Sequence, residues 1–235
     1  MINIVLFGAP GCGKGTQAAL LKEQFGIEHV STGEVIRGHI RRGTELGKAV
    51  QACIERGELA PDQLVIDMVA DYVATHKEGT GVIFDGFPRT TAQAVAFDEI
   101  LAQHGQKVAV MINMEVPEEE LVKRILLRGK DSGRADDQSE EIIRNRIDVY
   151  NAQTAVVADF YRAQGKFESV PSLGTIEEVA ERITLDSFGR RAVLSLRQNL
   201  ASRILDLEKA NLFEKYKDKV GEIVSGDVYQ VWKKE

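Results

Sequence analysis

Cysteine and proline are scarce in this chain, with two of the one and five of the other among 235 residues. Cys12 and Cys53 alone make neither a disulfide framework nor a set of metal ligands, and a reducing, cytoplasmic setting is the simplest expectation. So few prolines, and no low-complexity tract, exclude a long disordered linker. No apolar run approaches the roughly 18 residues that a membrane helix needs. The apolar start Ile2 to Phe7 also lacks the basic residues and small-residue cleavage site of a signal peptide, so no membrane partner is expected. The formal net charge of −6 argues against a protein that coats nucleic acid as a whole.

The residues that are present describe a globular chain. A hydrophobic fraction of 43% lies well above that of disordered sequences, and the length fits one domain plus an appendage. Charge is unevenly placed. Residues 184–235 carry ten Lys/Arg and eight Asp/Glu, a balance of +2, and the rest of the chain is left at −8. This sign change puts a boundary near Ile183.

Short apolar runs at Ile2 to Phe7, His29-Val30, Gly81 to Phe84, Val108 to Met114 and Lys166 to Val170 read as strands. Helical patterns separate them at about 15–25, 33–42, 44–57, 62–76, 90–103, 117–127, 139–164 and 175–183. The alternation predicts an α/β fold, a doubly wound, parallel five-stranded sheet with helices on both faces. Ligands of such sheets sit beyond the carboxyl ends of the strands. After Ile183 the pattern changes. Val193, Leu196, Leu200, Ile204 and Leu207 step by three and four as one face of a helix, and Val220 to Trp232 reads as a strand.

The first apolar run leads into Gly8-Ala9-Pro10-Gly11-Cys12-Gly13-Lys14-Gly15-Thr16. Glycines at 8, 11, 13 and 15 let the backbone turn tightly and aim its N–H groups at an anion. The helix that follows directs its positive end to the same place, and Lys14 can reach the terminal phosphates of a nucleotide. Gly15 stands where the general motif has Ser or Thr, and Thr16 comes one later, so the hydroxyl need not touch a metal.

Other residues read two ways taken singly. Ser31-Thr32 caps a helix or meets a ligand at its start, with Arg37 one turn further on. Asp85, at the end of a strand, caps a turn or holds water around Mg²⁺. Arg124, Arg128, Arg134 and Arg146 form solvated basic faces beside Glu118, Glu119, Glu120, Glu140 and Glu141, or they converge on phosphate. His29, His39, His76 and His104 lie outside these motifs and are assigned to structure.

Five stretches decide between such readings. The glycine-rich loop is followed in order by Ser31-Thr32-Gly33-Glu34-Val35-Ile36-Arg37 and by Asp85-Gly86-Phe87-Pro88-Arg89 with Gln93. Then come Arg124 and Arg128 with Arg134-Ala135-Asp136-Asp137, and finally Arg144-Asn145-Arg146. Together they resemble the nucleoside monophosphate kinases, and the adenylate kinase family in particular, over residues 1 to about 183. The resemblance implies reversible transfer of a phosphoryl group from Mg·ATP to AMP. It implies that Gly11, Cys12, Gly13, Lys14, Gly15, Thr16, Arg124, Arg128 and Gly174 bind ATP. It implies that Thr32, Arg37, Glu58, Leu59, Ala60, Gly86, Phe87, Pro88, Arg89, Gln93, Arg134 and Arg146 bind AMP, with Gln93 reading the base. Lys14, Arg89, Arg124, Arg134 and Arg146 form the implied catalytic set, and Asp85 meets Mg²⁺ through water. Thr32 favours AMP, since relatives acting on pyrimidine monophosphates tend to have Ala there. The monophosphate-binding part covers about 31–60 and a short lid about 129–137, expected as a glycine-containing hinged loop. That lid holds no cysteine, which excludes the four-ligand zinc lid of longer relatives.

Residues about 185–235 resemble instead the linker helix and first S1 strand of the bacterial transcription factor NusA, most specifically at Gly221-Glu222-Ile223-Val224-Ser225-Gly226. One strand cannot form an RNA-binding barrel, so the resemblance implies ancestry or an artificial fusion rather than nucleic-acid binding. A monomer is expected, with dimerisation through the apolar tail face as the alternative. Two rival functions remain at this stage. One is another nucleoside monophosphate kinase. The other is a nucleotide-binding regulatory module that works through the tail helix.

Overall fold

The computed structural model describes residues 1–183 apart from 77, 78 and 133, together with Lys217. The chain divides into two units, Met1–Ser195 and Leu196–Glu235, and the first holds all the elements below. The tail helix and closing strand expected from the sequence lie outside the described residues.

The five expected strands form one sheet. β1 (Ile2–Phe7), β2 (Glu28–Ser31), β3 (Gly81–Asp85), β4 (Val108–Glu115) and β5 (Phe167–Pro171) lie in the order β2-β3-β1-β4-β5, and each neighbouring pair is parallel. β1 is central and buried at all six positions, which is why its sequence is continuously apolar rather than alternating. Around the sheet stand α1 (Lys14–Phe25), α2 (Thr32–Arg41), α3 (Glu45–Glu55), α4 (Asp62–Thr75), α5 (Thr91–Gln103), α6 (Glu118–Ser132), α7 (Glu140–Val149), α8 (Val157–Ala163) and α9 (Ile176–Arg182).

The main core lies on one face of the sheet. Val65, Val69 and Val73, one helical turn apart on α4, meet Val5, Phe7 and Phe84 of the sheet, Phe97 and Leu101 of α5, and Tyr161 of α8. Phe97 takes Phe84 and Phe87 edge-on, with ring centroids 4.7 and 5.2 Å away. Burial of each such side chain stabilises the fold by roughly 1.5–3 kcal/mol. On the other face α1 buries Ala18 and Leu21 and packs with α9.

Register sets up the site. Leu6 of β1 and Ser31 of β2 both pair with Asp85 of β3. These three strands therefore end level, and the chain leaves them side by side as residues 8–13, 31–37 and 85–89. The turns at the opposite edge of the sheet pass through Gly26, Gly105 and Gly165.

Two expectations need correction. The helix expected over 139–164 is three pieces, α7, a π-helical turn Tyr150–Thr154 and α8. The helix expected to end at 127 continues to Ser132, so the segment 129–137 expected as a hinged loop begins as the last turn of α6 and ends as a 3-10 turn, Ala135–Asp137. Gly129 lies inside α6. A Cβ there would come within 2.4 Å of the Asp137 carbonyl oxygen, so close packing of backbone, and not hinging, requires this glycine. Among the described residues no helix is long and apolar enough to cross a membrane.

Candidate active site

Beyond the carboxyl ends of β1, β2 and β3 lies a cavity of about 740 Å³. Every site residue expected from the sequence, from Gly11 to Gly174, lies on its wall.

The loop after β1 forms one end. Gly11 has φ +84°, and a Cβ on it would come within 2.7 Å of Ile125 on α6. Shape and close approach thus both demand glycine there. Gly13 precedes α1 with φ 102° and gives no side-chain cap, so the first N–H groups of that helix face the cavity end. Lys14 Nζ donates to the carbonyls of Gly8 (2.8 Å) and Ala9 (3.0 Å). Cys12 is buried beneath, with its Sγ 3.4 Å from the same nitrogen. Thr16 is exposed on the wall.

The acceptor end is built by α2 and the segment after β3. Ser31 is the cap of α2, accepting from the Glu34 N–H at 3.4 Å. The hydroxyl of the buried Thr32 donates to the Gly86 carbonyl at 3.0 Å and ties α2 to the β3 loop. Arg89 Nε donates to the same carbonyl at 2.7 Å, which turns the guanidinium back over the loop. Arg37 donates to Glu34 at 2.7 Å, while its Nε is buried with no partner in the protein. A buried, unspent guanidinium donor suits an anion.

The arginines of α6 and α7 close the ring. Arg124 donates to Glu120 (2.9 Å) and to the Ser172 carbonyl (3.3 Å). Asp137, fully buried, accepts from Arg128 Nε and Nη2 (2.7 and 2.9 Å) and from Arg146 Nη1 (2.7 Å). Arg146 also pairs with Asp136 at 3.0 Å. Arg134 pairs with Glu34, which links the segment after α6 to α2.

Electrostatics follow from this crowding. Burial alone would raise the Asp85 carboxyl, but His29, then Lys14 and Arg89, outweigh it and hold it below the usual carboxylate range. Burial also raises Asp137, and the hydrogen bonds and charges of Arg128 and Arg146 reverse the sign. Burial, followed by the like charges of Arg37 and Arg128, lowers Arg134, and burial with Arg146 lowers Arg89. Guanidinium groups so lowered remain charged at neutral pH. The cavity is therefore a cationic enclosure whose positive groups repel one another, and polyanions relieve that repulsion.

A match to the family model described as adenylate kinase covers residues 6–166. The adenylate kinase of Phocaeicola vulgatus is 52% identical over 179 residues, which cover 76% of this chain and 94% of that protein. That of Parabacteroides distasonis is 51% identical over 183 residues, 78% of this chain and 96% of that protein. That of Flavobacterium psychrophilum is 48% identical over 184 residues, 78% and 97% of the two chains. The chain belongs to the adenylate kinase family. Adenylate kinases are nucleoside monophosphate kinases, so the chain is a phosphotransferase.

Several wall residues were missed by sequence reasoning. His29, assigned to structure, stands on the wall with Nε2 3.6 Å from Asp85 Oδ2. His39, His76 and His104 bond locally, to Thr44, Thr75 and Ile100. Glu34 bridges Arg37 and Arg134, and Asp137 bridges Arg128 and Arg146, a role that spacing alone does not reveal. The available signal was the match of acid to base, since each candidate arginine of α6 and α7 needs a counter-charge once it is half-buried.

Proposed function

We propose that this chain catalyses Mg·ATP + AMP giving two ADP, with ATP phosphates on residues 11–16 and AMP between α2, residues 58–60 and Gln93. The single observation that carries the reading is that Lys14, Arg37, Arg89, Arg134 and Arg146 share one cavity wall. Two polyanions approach each other only when their charge is neutralised, and five cations around a single enclosure supply that.

In this reading Lys14 and the backbone N–H groups beside it hold the donor phosphates. Arg37 and Arg89 hold the acceptor phosphate, with the unspent Nε of Arg37 as a ready donor. Arg134 and Arg146 face the phosphoryl group as it moves. Its transition state spreads charge over three equatorial oxygens, so fixed cations lower the barrier by alignment and charge compensation. Arg124 and Arg128, with Gly174, bind ATP, and Arg124 belongs with Lys14, Arg89, Arg134 and Arg146 to the catalytic set. The enclosing wall keeps water from accepting the phosphoryl group.

Mg²⁺ arrives with ATP as part of the substrate. Among the described residues no group of three or more His, Cys, Asp or Glu forms a cage for a metal ion. A Cβ on Gly15 would lie 3.9 Å from Asp85 Oδ2, so this carboxylate stands beside the phosphate loop. One carboxylate next to bound phosphates suits an ion that keeps most of its waters.

We assign 31–60 as the monophosphate-binding part, 129–137 as a short lid, 1–183 as the kinase and 184–235 as an extension with NusA-like sequence and no RNA-binding role. The two free cysteines support a reducing, cytoplasmic setting, and the chain is read as a monomer with dimerisation through the tail as the alternative. A coupled assay with AMP, CMP, UMP and GMP as acceptors tests the reading. AMP is expected to lead by a wide margin, and equal rates with CMP would overturn the base assignment.

A further inference from the structure

Gln93 sits on the cavity wall and is nearly sealed from water, with 1% of its surface exposed. Both ends of its amide are bonded to protein. Its Oε1 accepts from the backbone N–H of Arg89 at 2.8 Å, and its Nε2 donates to Asp62 Oδ1 at 2.7 Å. The other carboxylate oxygen of Asp62 accepts from the Thr90 hydroxyl at 2.9 Å, and that hydroxyl accepts from the Gln93 N–H at 3.2 Å. Asp62 opens α4 directly after residues 58–61 and does not itself line the cavity.

An amide side chain can be turned end for end, which exchanges donor and acceptor with little change of shape. Here the neighbours remove that choice. A backbone N–H can only donate, and a carboxylate can only accept. The two together dictate which end of Gln93 is oxygen and which is nitrogen. One Nε2 hydrogen and one Oε1 lone pair then remain for a ligand, in a fixed order along the wall.

We infer that Asp62 is a specificity-determining positioning residue: it locks the amide of Gln93 in the orientation that accepts a 6-aminopurine monophosphate and rejects a 6-oxopurine one. The inference rests on the proposal that Gln93 faces the acceptor base. Adenine presents an amino donor at position 6 and an acceptor at N1. Hypoxanthine has nearly the same outline but presents an acceptor at position 6 and a donor at N1. An amide free to turn matches either base, while a locked amide matches one and meets the other donor to donor and acceptor to acceptor. Unpaired buried polar groups are what make such rejection large.

The test is the ratio of kcat/KM for AMP to that for IMP, with Mg·ATP as donor, in the full chain and in Asp62→Asn, Asp62→Ala and Gln93→Leu. A ratio taken on one preparation is unaffected by partial loss of folded protein, so a destabilised variant still reports. Asn at 62 presents either a donor or an acceptor to Gln93 and unlocks that end, while the Arg89 N–H keeps the other. The expected fall in the AMP:IMP ratio is therefore about tenfold rather than complete, with KM for ATP unchanged. Asp62→Ala is expected to lower the ratio similarly, and Gln93→Leu to lower it at least as far. If Gln93→Leu lowers the ratio and both Asp62 variants leave it at the wild-type value, the lock is refuted and base reading by Gln93 stands. If Gln93→Leu also leaves it unchanged, the reading of Gln93 has failed, and the inference with it.

Discussion

Replacing Asp137 by Asn should loosen the whole arginine side of the cavity. The carboxylate is fully buried and accepts three hydrogen bonds, two from Arg128 and one from Arg146. Removing one partner of a buried ion pair costs about 3–5 kcal/mol. Part of that is recovered here. Arg128 is 37% exposed and regains water, and Arg146 keeps Asp136 at 3.0 Å. A net loss of about 2–3 kcal/mol remains, which for a domain of this size lowers Tm by roughly 4–12 °C. The pH dependence has a definite sign. The folded carboxyl titrates below its ordinary value of 3.8, so its contribution is complete above that value and disappears as pH falls through the lower folded value. Thermal melts of both proteins, followed by circular dichroism at pH 7, 5 and 3, should show the full gap at the first two and a narrowed gap at the third. A gap below about 2 °C at pH 7, or one that widens towards pH 3, would refute the assignment of Asp137 as the ionic anchor.

Other expectations are simpler to check. Lys14→Met should lower kcat by at least about a hundredfold, because it removes a charge that acts on the phosphates; a kcat within threefold of wild type would count against it. Gly11→Ala should destabilise by about 2–4 kcal/mol, since it combines φ +84° with a 2.7 Å clash against Ile125, and isothermal titration should register lost ATP affinity. A chain ending at Ile183 should phosphorylate AMP at the full rate, because the relatives are matched over 94–97% of their length by at most 184 residues of this one. A progress curve several-fold slower would give the extension a role.

β1, β3 and most of β4 were legible because parallel strands buried on both faces spell themselves as apolar runs, and all five expected runs, the more exposed β2 and β5 included, became strands within two residues of the expected ends. The short strand β2 was visible as well, because Ser31 marked the start of the next helix. Helix ends were harder to place. The extension of α6 to Ser132 depends on Asp137 returning over Gly129, a contact between backbone groups that no local pattern announces. The break at Tyr150–Thr154 likewise carries no glycine or proline to mark it. At the site, motif order picked out the cations from among 30 Lys and Arg residues. Glu34 and Asp137, which hold the arginines, fell inside the matched stretches without showing that role, and Asp62, which holds Gln93 and Thr90, lay outside them, because such roles depend on partners up to 100 positions away.

The level ends of the strands divide the molecule by labour. All the loops that carry chemistry leave from one rim of the sheet, and the turns at Gly26, Gly105 and Gly165 belong to the other. The space around those three glycines is open to 4 Å, but their φ of +62° to +67° strains any other residue, so an attachment belongs on an exposed neighbour such as Gln103, Lys107 or Gln164. That rim is accordingly the place for a fluorophore, a surface tether or a new pair of chain ends, since an attachment there hangs from the far side of a stiff five-stranded slab and leaves the phosphates undisturbed.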